Sequence, residues 1–136
     1  MRKKEVTAMA ELAFIDKVAE RAGVSEDTAR LLTEGTLLTL AARISGGEAE
    51  DLAERVPDQL RPYLIKLTEP AVPFSYDEFT VRVAEHAGVD RPTAERGVAA
   101  VLSALHETVG HKEFTDAMAQ LPREFRDLVA TASASR

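Results

Sequence analysis

Two sets of charged residues stand at matching positions in the two halves of the chain. Glu48, Asp51 and Arg61 form the first set, and Glu113, Asp116 and Arg126 form the second. Carboxylates and guanidinium groups at this spacing can form ion pairs between neighbouring helices, or a pair of polar sites for a partner. An exposed ion pair contributes only about 0–1 kcal/mol to stability. We interpret each set as an ion pair joining a third helix to a fourth, with partner binding as the alternative.

The string His106-Glu107-Thr108-Val109-Gly110-His111 resembles the zinc-protease pattern, in which two histidines four residues apart share one helical face. Here the spacing is five residues, which turns the second histidine about 140° away on a helix. Gly110 also stands where the helix is expected to end. We therefore predict two surface histidines near a helix C-terminus, where a cation is favoured, and no metal site.

Other chemical motifs are weak. Gly46-Gly47-Glu48 could form a phosphate-binding turn, but the acidic residues that follow already satisfy the helix dipole and would repel an anion. The chain has no cysteine, no Glu-x-x-His pair for a di-iron site and no nucleophile elbow. The four serines most relevant to catalysis are predicted at caps, a turn and a helix: Ser25, Ser45, Ser75 and Ser103. We predict no catalytic residue, no cofactor and no resident metal.

The chain is internally duplicated. Residues 14–64 align without a gap to residues 79–129, at an offset of 65, with 15 of the 51 pairs identical. The longest shared motif is Phe-x3-Val-Ala-Glu-x-Ala-Gly-Val, which begins at Phe14 and again at Phe79. The identities include turn positions as well as core positions, which indicates a duplicated fold.

Each half is predicted to form four helices. Apolar residues spaced by four define the first helix of each half. In the first half this helix is predicted to start near Thr7. In the second half it is predicted to start after a capping box of Ser75 and Glu78, with Phe74 and Phe79 as a hydrophobic staple. Gly23 and Gly88 are predicted to end these helices in the left-handed conformation. The second helix of each half is long and apolar and is predicted at about 25–44 and 90–109. A short third helix is predicted at about 48–55 and 113–119. The fourth helix is predicted to begin at Pro57 and at Pro122.

The predicted architecture is all-α: two pseudo-symmetric four-helix repeats packed into one helical bundle domain spanning residues 1–136. A Pro-containing linker occupies residues 65–78, and frayed tails occupy residues 1–6 and 130–136. Small residues in a helix interior indicate close approach of a neighbour, because glycine costs about 1 kcal/mol relative to alanine there. We expect the two long helices to cross near Gly35 and Gly97–Ala100.

Composition narrows the functional classes. The net charge is −6, and basic residues do not cluster beyond Arg2–Lys4, so nucleic-acid binding is not expected. No segment has the roughly 20 apolar residues needed to span a bilayer, and the N-terminus does not read as an export signal. The absence of cysteine fits a reducing cytoplasm.

The sequence resembles the bacterial family called domain of unknown function 2267. The resemblance lies in the Phe-x3-Val-Ala-Glu-x-Ala-Gly-Val motif, the long apolar helix and the later Gly-Gly-Glu and Leu-Pro motifs. The resemblance covers residues 14–129, and the second repeat departs from it at His111-Lys112, where Gly-Gly is usual. It implies a small prokaryotic all-helical protein of duplicated halves. It implies no reaction, ligand or active site.

Two functional hypotheses follow. The first is a non-enzymatic interaction or accessory module that binds a protein partner or a second copy of itself, favoured by the acidic, motif-poor helical surface. The second is a small apolar ligand bound between the repeats, where Gly35 and Gly97 could leave a cavity instead of permitting close packing. An enzyme is the less supported reading.

Overall fold

The computed structural model describes residues 3–65, 73–125 and 127, with side chains from Met9 onward. Six α-helices and one short 3₁₀ helix lie in this part of the chain, which contains no strand. They are α1 Lys3–Ala22, α2 Glu26–Arg43, α3 Gly46–Ala53, the 3₁₀ helix Arg61–Leu64, α4 Tyr76–Ala87, α5 Arg91–Val109 and α6 His111–Met118. Residues 123–125 and 127 are also helical. The predicted all-α class is confirmed.

The glycine turns form as predicted. Gly23 and Gly88 have φ angles of 69° and 67°, the left-handed conformation that glycine adopts without steric cost. The N–H of the residue after each glycine donates to a carbonyl oxygen five positions earlier, at 3.0 Å after Gly23 and 3.1 Å after Gly88. These bonds satisfy carbonyl groups that a helix end leaves without partners. They let the chain reverse directly into α2 and α5.

The predicted start of α4 is also confirmed. The Ser75 hydroxyl accepts a hydrogen bond from the Glu78 amide at 3.1 Å, and the rings of Phe74 and Phe79 lie 6.2 Å apart around this cap. The long helices are capped in the same way, by Ser25 for α2 and by Asp90 for α5. Short polar side chains therefore set where each helix begins.

The later elements differ from the prediction. The helix α3 begins at Gly46, because Ser45 caps it by accepting from the Glu48 amide at 3.3 Å. The helix predicted from Pro57 is a 3₁₀ helix that starts only at Arg61. Pro62 has no N–H to donate back to residue 58, so a regular α-helix across these residues would lose a hydrogen bond.

Helices of one predicted repeat pack against helices of the other. The helix α1 packs on α2 and α5, α4 packs on α2 and α5, and α3 packs on α6. One core cluster contains buried residues from both ends of the described chain, including Phe14 and Phe125. Phe125 meets Phe79 edge to face, with ring centroids 4.8 Å apart. The duplication itself stays a prediction from the sequence.

The two interior glycines pack against different helices. Gly97 of α5 faces Leu32 of α2, and a Cβ at Gly97 would lie 2.6 Å from Leu32 Cδ2. Gly35 of α2 instead faces His86 of α4, with a nearest approach of 3.2 Å to a Cβ at that position. The long helices do meet at Gly97, as predicted, but the expectation that Gly35 also lies at their crossing is wrong. At both glycines the adjacent space is taken up by a neighbouring side chain.

Several predicted boundaries fall at or beyond the described ranges. The helix α1 already includes residues 3–6 of the expected N-terminal tail, and α4 includes residues 76–78 of the expected linker. Residues 66–72 of that linker, residues 1 and 2 and the tail 130–136 lie outside the described residues. Within the described ranges, no helix combines the length and apolar character required to cross a bilayer.

Candidate metal centre

Two short helices bring together the acidic residues of the duplicated sets. The helices α3 and α6 each follow a long helix and pack against one another, burying Leu52 on one side and Phe114 on the other. Residues three apart on a helix share a face. Glu48 and Asp51 therefore project together from α3, as do Glu113 and Asp116 from α6.

The carboxylates form one cluster across this contact. One oxygen from each of Glu48, Asp51 and Glu113 lies within 4.8 Å of the others. Asp116 is close enough to raise the pKa of Glu48 through its charge. The hypothesis of two separate partner sites is therefore not what this geometry shows, because the acidic residues of the two sets meet at a single place.

Glu48 is the least satisfied member of the cluster. Its Oε2 atom has less than 1 Å² of accessible surface and, among the described residues, no hydrogen-bond partner. Burial raises the pKa of the Glu48 carboxyl above its usual range, and the charges of Asp116, Asp51 and Glu113 raise it further. An ionised Glu48 therefore carries a desolvation cost at its buried oxygen, which the charge of Lys112 offsets only in part.

Two basic side chains border the cluster without neutralising it. Arg55 lies 3.3 Å from Glu113, and Lys112 lies 3.1 Å from Asp116. The hydrogen bond to Asp116 raises the pKa of Lys112. The four carboxylates therefore outnumber the two cations beside them. The charge of Lys112 lowers the pKa of Glu48, but burial and the three neighbouring carboxylates outweigh that effect.

Arg61 does not take part in this cluster. It pairs with Asp58 at 3.1 Å, and its Nε atom donates to the Ala53 carbonyl oxygen at 3.0 Å. The expected ion pair from Arg61 to Glu48 or Asp51 is absent from the described contacts. Arg61 still joins the third helix to the chain after it, because it satisfies a carbonyl at the end of α3. Its predicted counterpart Arg126 lies outside the described residues.

The sequence identified the four carboxylates but not their meeting point or their neighbours. Arg55 has no motif that would single it out, and its contact with Glu113 depends entirely on how α3 packs on α6. Lys112 could have been paired with Asp116 from their spacing of four on one helix.

An open cleft of about 650 Å³ lies on the other side of α3, against the 3₁₀ helix. It lies within the first predicted repeat and not between the repeats. Its lining is mixed in polarity and comprises Gly46, Gly47, Glu50, Ala53, Glu54, Arg61, Leu64 and Ile65. Its charged side chains are Glu50, Glu54 and Arg61, and Arg61 is already paired with Asp58.

The carboxylate cluster suits a hard divalent cation. Oxygen ligands are those that Ca²⁺ and Mg²⁺ prefer, and oxygens sharing one Ca²⁺ at about 2.3–2.6 Å lie at most about 5 Å apart. The separations of 4.8 Å or less fall within that limit for Ca²⁺, whereas Mg²⁺ at about 2.0–2.1 Å needs the oxygens to lie within about 4.2 Å of one another. A cation would also give the buried Glu48 oxygen the partner that it lacks.

Fold and site together define an all-helical protein with an oxygen-donor cluster between two short helices. The chain belongs to the family described as "Uncharacterized conserved protein (DUF2267)", whose model matches residues 12–128. The family resemblance seen in the sequence is thereby confirmed. Comparison with curated proteins gives no match.

Proposed function

We propose that this protein is a non-enzymatic accessory module that binds a divalent cation through Glu48, Asp51 and Glu113. The observation that carries the proposal is the buried Oε2 atom of Glu48, which has no hydrogen-bond partner although three other carboxylates surround it. An unpartnered buried charge is expensive, and like charges in contact add to that cost. A bound cation removes both costs at once.

The non-enzymatic part of the proposal rests on how the serine hydroxyls are used. Ser25, Ser45 and Ser75 each accept an amide hydrogen bond at a helix start. Ser103 accepts from Arg21 at 2.9 Å in a partly buried contact. These hydroxyls serve helix capping and packing. We further place the protein in the cytoplasm, because a sequence without cysteine fits a reducing compartment.

Thermal unfolding with and without added Ca²⁺, Mg²⁺ or Mn²⁺ tests the cation site. A ligand at about 100 times its Kd stabilises a protein by about 2.7 kcal/mol, so we expect the Tm to rise by about 5–10 °C with the preferred cation. Asp51→Asn should reduce this rise to a small fraction, because it removes a charged ligand. The matched control is Glu50→Gln, which changes the same charge on α3 but lies outside the cluster.

The cation proposal is wrong if the wild-type protein and Asp51→Asn respond alike to all three ions. It is equally wrong if Glu50→Gln removes the response as completely as Asp51→Asn. A chelator control distinguishes the ion itself from ionic strength, since EDTA should reverse the stabilisation and sodium chloride at matched ionic strength should not reproduce it.

A second candidate function is contact with a protein partner or a second copy of the chain. Leu31 and Leu38 stand seven residues apart on α2, which places them on one helical face, and they are 40% and 41% exposed. Two large apolar side chains on the same exposed face favour burial against another protein. Ligand binding between the repeats has less support, because Leu32 and His86 pack into the space beside Gly97 and Gly35.

The oligomeric state tests this second candidate. We expect light scattering after size exclusion to show a self-associated species that the double variant Leu31→Ser/Leu38→Ser converts to monomer. Val81→Ser on α4 serves as the control, because Val81 is similarly exposed at 38% but lies on another helix. If Val81→Ser dissociates the species as effectively, or the double variant leaves it intact, this face is not the interface.

A further inference from the structure

Two histidines face one another where α5 ends and α6 begins. The Nε2 atom of His106, in the last turn of α5, lies 3.2 Å from the Nδ1 atom of His111, the first residue of α6. A continuous helix would place them on different faces, as their spacing of five residues predicts. Gly110 has a φ angle of 91° and breaks the helix between them, so the chain turns and the imidazoles meet.

Neighbouring side chains hold both rings in place. The His106 ring stacks on Phe114, with centroids 4.4 Å apart and planes 7° from parallel, and Phe114 is itself part of the buried core. The Thr115 hydroxyl lies 3.5 Å from Nε2 of His111. If that hydroxyl accepts from Nε2, the His111 tautomer leaves Nδ1 with its lone pair directed toward His106. An outer hydrogen bond of this kind is the usual support for a metal-ligating histidine.

We propose that His106 and His111 form a two-nitrogen chelate for a borderline transition-metal ion, of the class Cu²⁺, Ni²⁺ or Zn²⁺. Metal–nitrogen bonds of about 2.0–2.1 Å that enclose about 90–109° separate the two nitrogens by about 2.8–3.4 Å. The observed 3.2 Å falls in this range. Metal binding requires the His106 proton to move from Nε2 to Nδ1, which frees the Nε2 lone pair, and both rings must turn so that their lone pairs meet at the metal and not at each other.

The chemistry of this pair differs from that of the carboxylate cluster. Imidazole ligands suit Cu²⁺, Ni²⁺ and Zn²⁺, whereas carboxylates suit Mg²⁺ and Ca²⁺, and divalent affinity at nitrogen sites is highest for Cu²⁺. Because His111 is exposed, water can occupy the remaining coordination positions. His106 lies at the negative end of the α5 dipole, which favours a cation, whereas His111 lies at the positive end of the α6 dipole, so the two helix ends largely offset each other. The proposal is independent of the carboxylate site.

The sequence places this site in one half of the chain only. The residues that align with His106 and His111 in the first half are Ala41 and Gly46, neither of which offers a side-chain ligand. One Cu²⁺ per chain is therefore expected at the nitrogen site. The remaining histidine, His86, contacts Glu34 on α2 and supplies the matched control.

Copper electron paramagnetic resonance on the tag-free protein tests the chelate. With substoichiometric Cu²⁺, we expect nitrogen couplings from two imidazoles in the wild type and in His86→Gln, and from one imidazole in His111→Gln. Titration of Cu²⁺ should show an affinity loss in His111→Gln at least as large as the roughly 10–100-fold cost of removing an outer-shell partner. His111→Gln is the safer variant for folding, because His106 also stacks on Phe114.

The proposal is overturned by either of two results. One is a wild-type copper spectrum with oxygen ligands alone or with a single imidazole. The other is a copper affinity that His111→Gln leaves unchanged while the variant keeps the wild-type circular dichroism spectrum. Repeating the titration in the Asp51→Asn background separates this site from the carboxylates, since copper bound at His106 and His111 should be unaffected by that change.

Discussion

Replacing Gly97 by valine is expected to lower the free energy of unfolding by about 2–3 kcal/mol, because the new side chain would overpack the contact between α2 and α5. A Cβ at this position lies 2.6 Å from Leu32 Cδ2 and 2.8 Å from Leu32 Cδ1. Leu32 is fully buried, so relieving this collision requires its side chain to repack against its core neighbours. The small gain in helix propensity over glycine, under about 0.5 kcal/mol, does not offset this.

Thermal or urea unfolding measures the effect, and the chain offers a close control. A Cβ at Gly47 has nothing within 4 Å, and Gly47 likewise lies in a helix, so Gly47→Val should change stability by less than about 0.5 kcal/mol. Adding Leu32→Val to Gly97→Val removes the δ carbons that collide with residue 97 and should recover part of the loss. Equal effects at the two glycines, or strict additivity of the two changes, would contradict the packing argument.

Replacing Glu48 by glutamine is expected to act in opposite directions in the two states of the site. In the metal-free protein the change should stabilise the fold by about 1 kcal/mol, because it removes a buried charge while the amide can donate to neighbouring carboxylates. That corresponds to a Tm increase of about 3–5 °C. In the presence of the preferred cation, the variant should lose most of the stabilisation that the wild type gains.

The pH dependence of stability provides an independent check on Glu48. Since its pKa is raised in the folded state, its contribution to stability is fully present below the unfolded-state pKa and is lost as the pH rises through the folded-state pKa. The difference in Tm between Glu48→Gln and the metal-free wild type should therefore be larger at about pH 8 than at about pH 4. Protons also compete with the cation, so its stabilisation of the wild type should weaken as the pH falls from about 8 to about 4.

A destabilised Glu48→Gln protein at neutral pH would mean that Glu48 has a favourable partner in solution. That result would remove the principal support for the cation site. A purely structural role for Glu48 predicts that Glu48→Gln changes the Tm in the same direction with and without the cation, whereas a metal ligand predicts opposite directions.

Much of the helical architecture could be predicted from local residue patterns. The turn at Gly88 follows from a single residue type, because only glycine adopts the left-handed conformation without steric cost. The start of α4 at Ser75 follows from a hydrogen bond between residues three positions apart, Ser75 and Glu78. The Pro62 effect was missed because the position of Pro57 gave the more obvious helix start, although the missing donor is equally visible in the sequence.

The candidate site was only half predictable. The spacing of Glu48 and Asp51 places them on one helical face, and the same holds for Glu113 and Asp116. These four residues were singled out because they occupy matching positions in the two halves. Their convergence could not be foreseen, because the distance between α3 and α6 depends on how the long helices before them cross. The partner expected for them, Arg61, turned out to satisfy the end of α3 instead.

For the two histidines, the sequence pattern predicted separation and the tertiary structure brought the side chains together. The five-residue spacing of His106 and His111 argues against a shared site on any continuous helix. The φ angle of Gly110 changed the geometry. A single broken helix brought together two side chains that periodicity had placed apart.

By itself the sequence determined the helices, their caps and glycine turns, and which acidic residues recur in the two halves. These depend on interactions between residues a few positions apart, whose energies local chemistry specifies. Only the tertiary structure decided that Leu32 packs against Gly97, that Gly35 faces α4, and that the acidic residues of the two sets converge at one site. Such contacts join residues distant along the chain, and their geometry is set by the packing of whole helices, which no local pattern encodes.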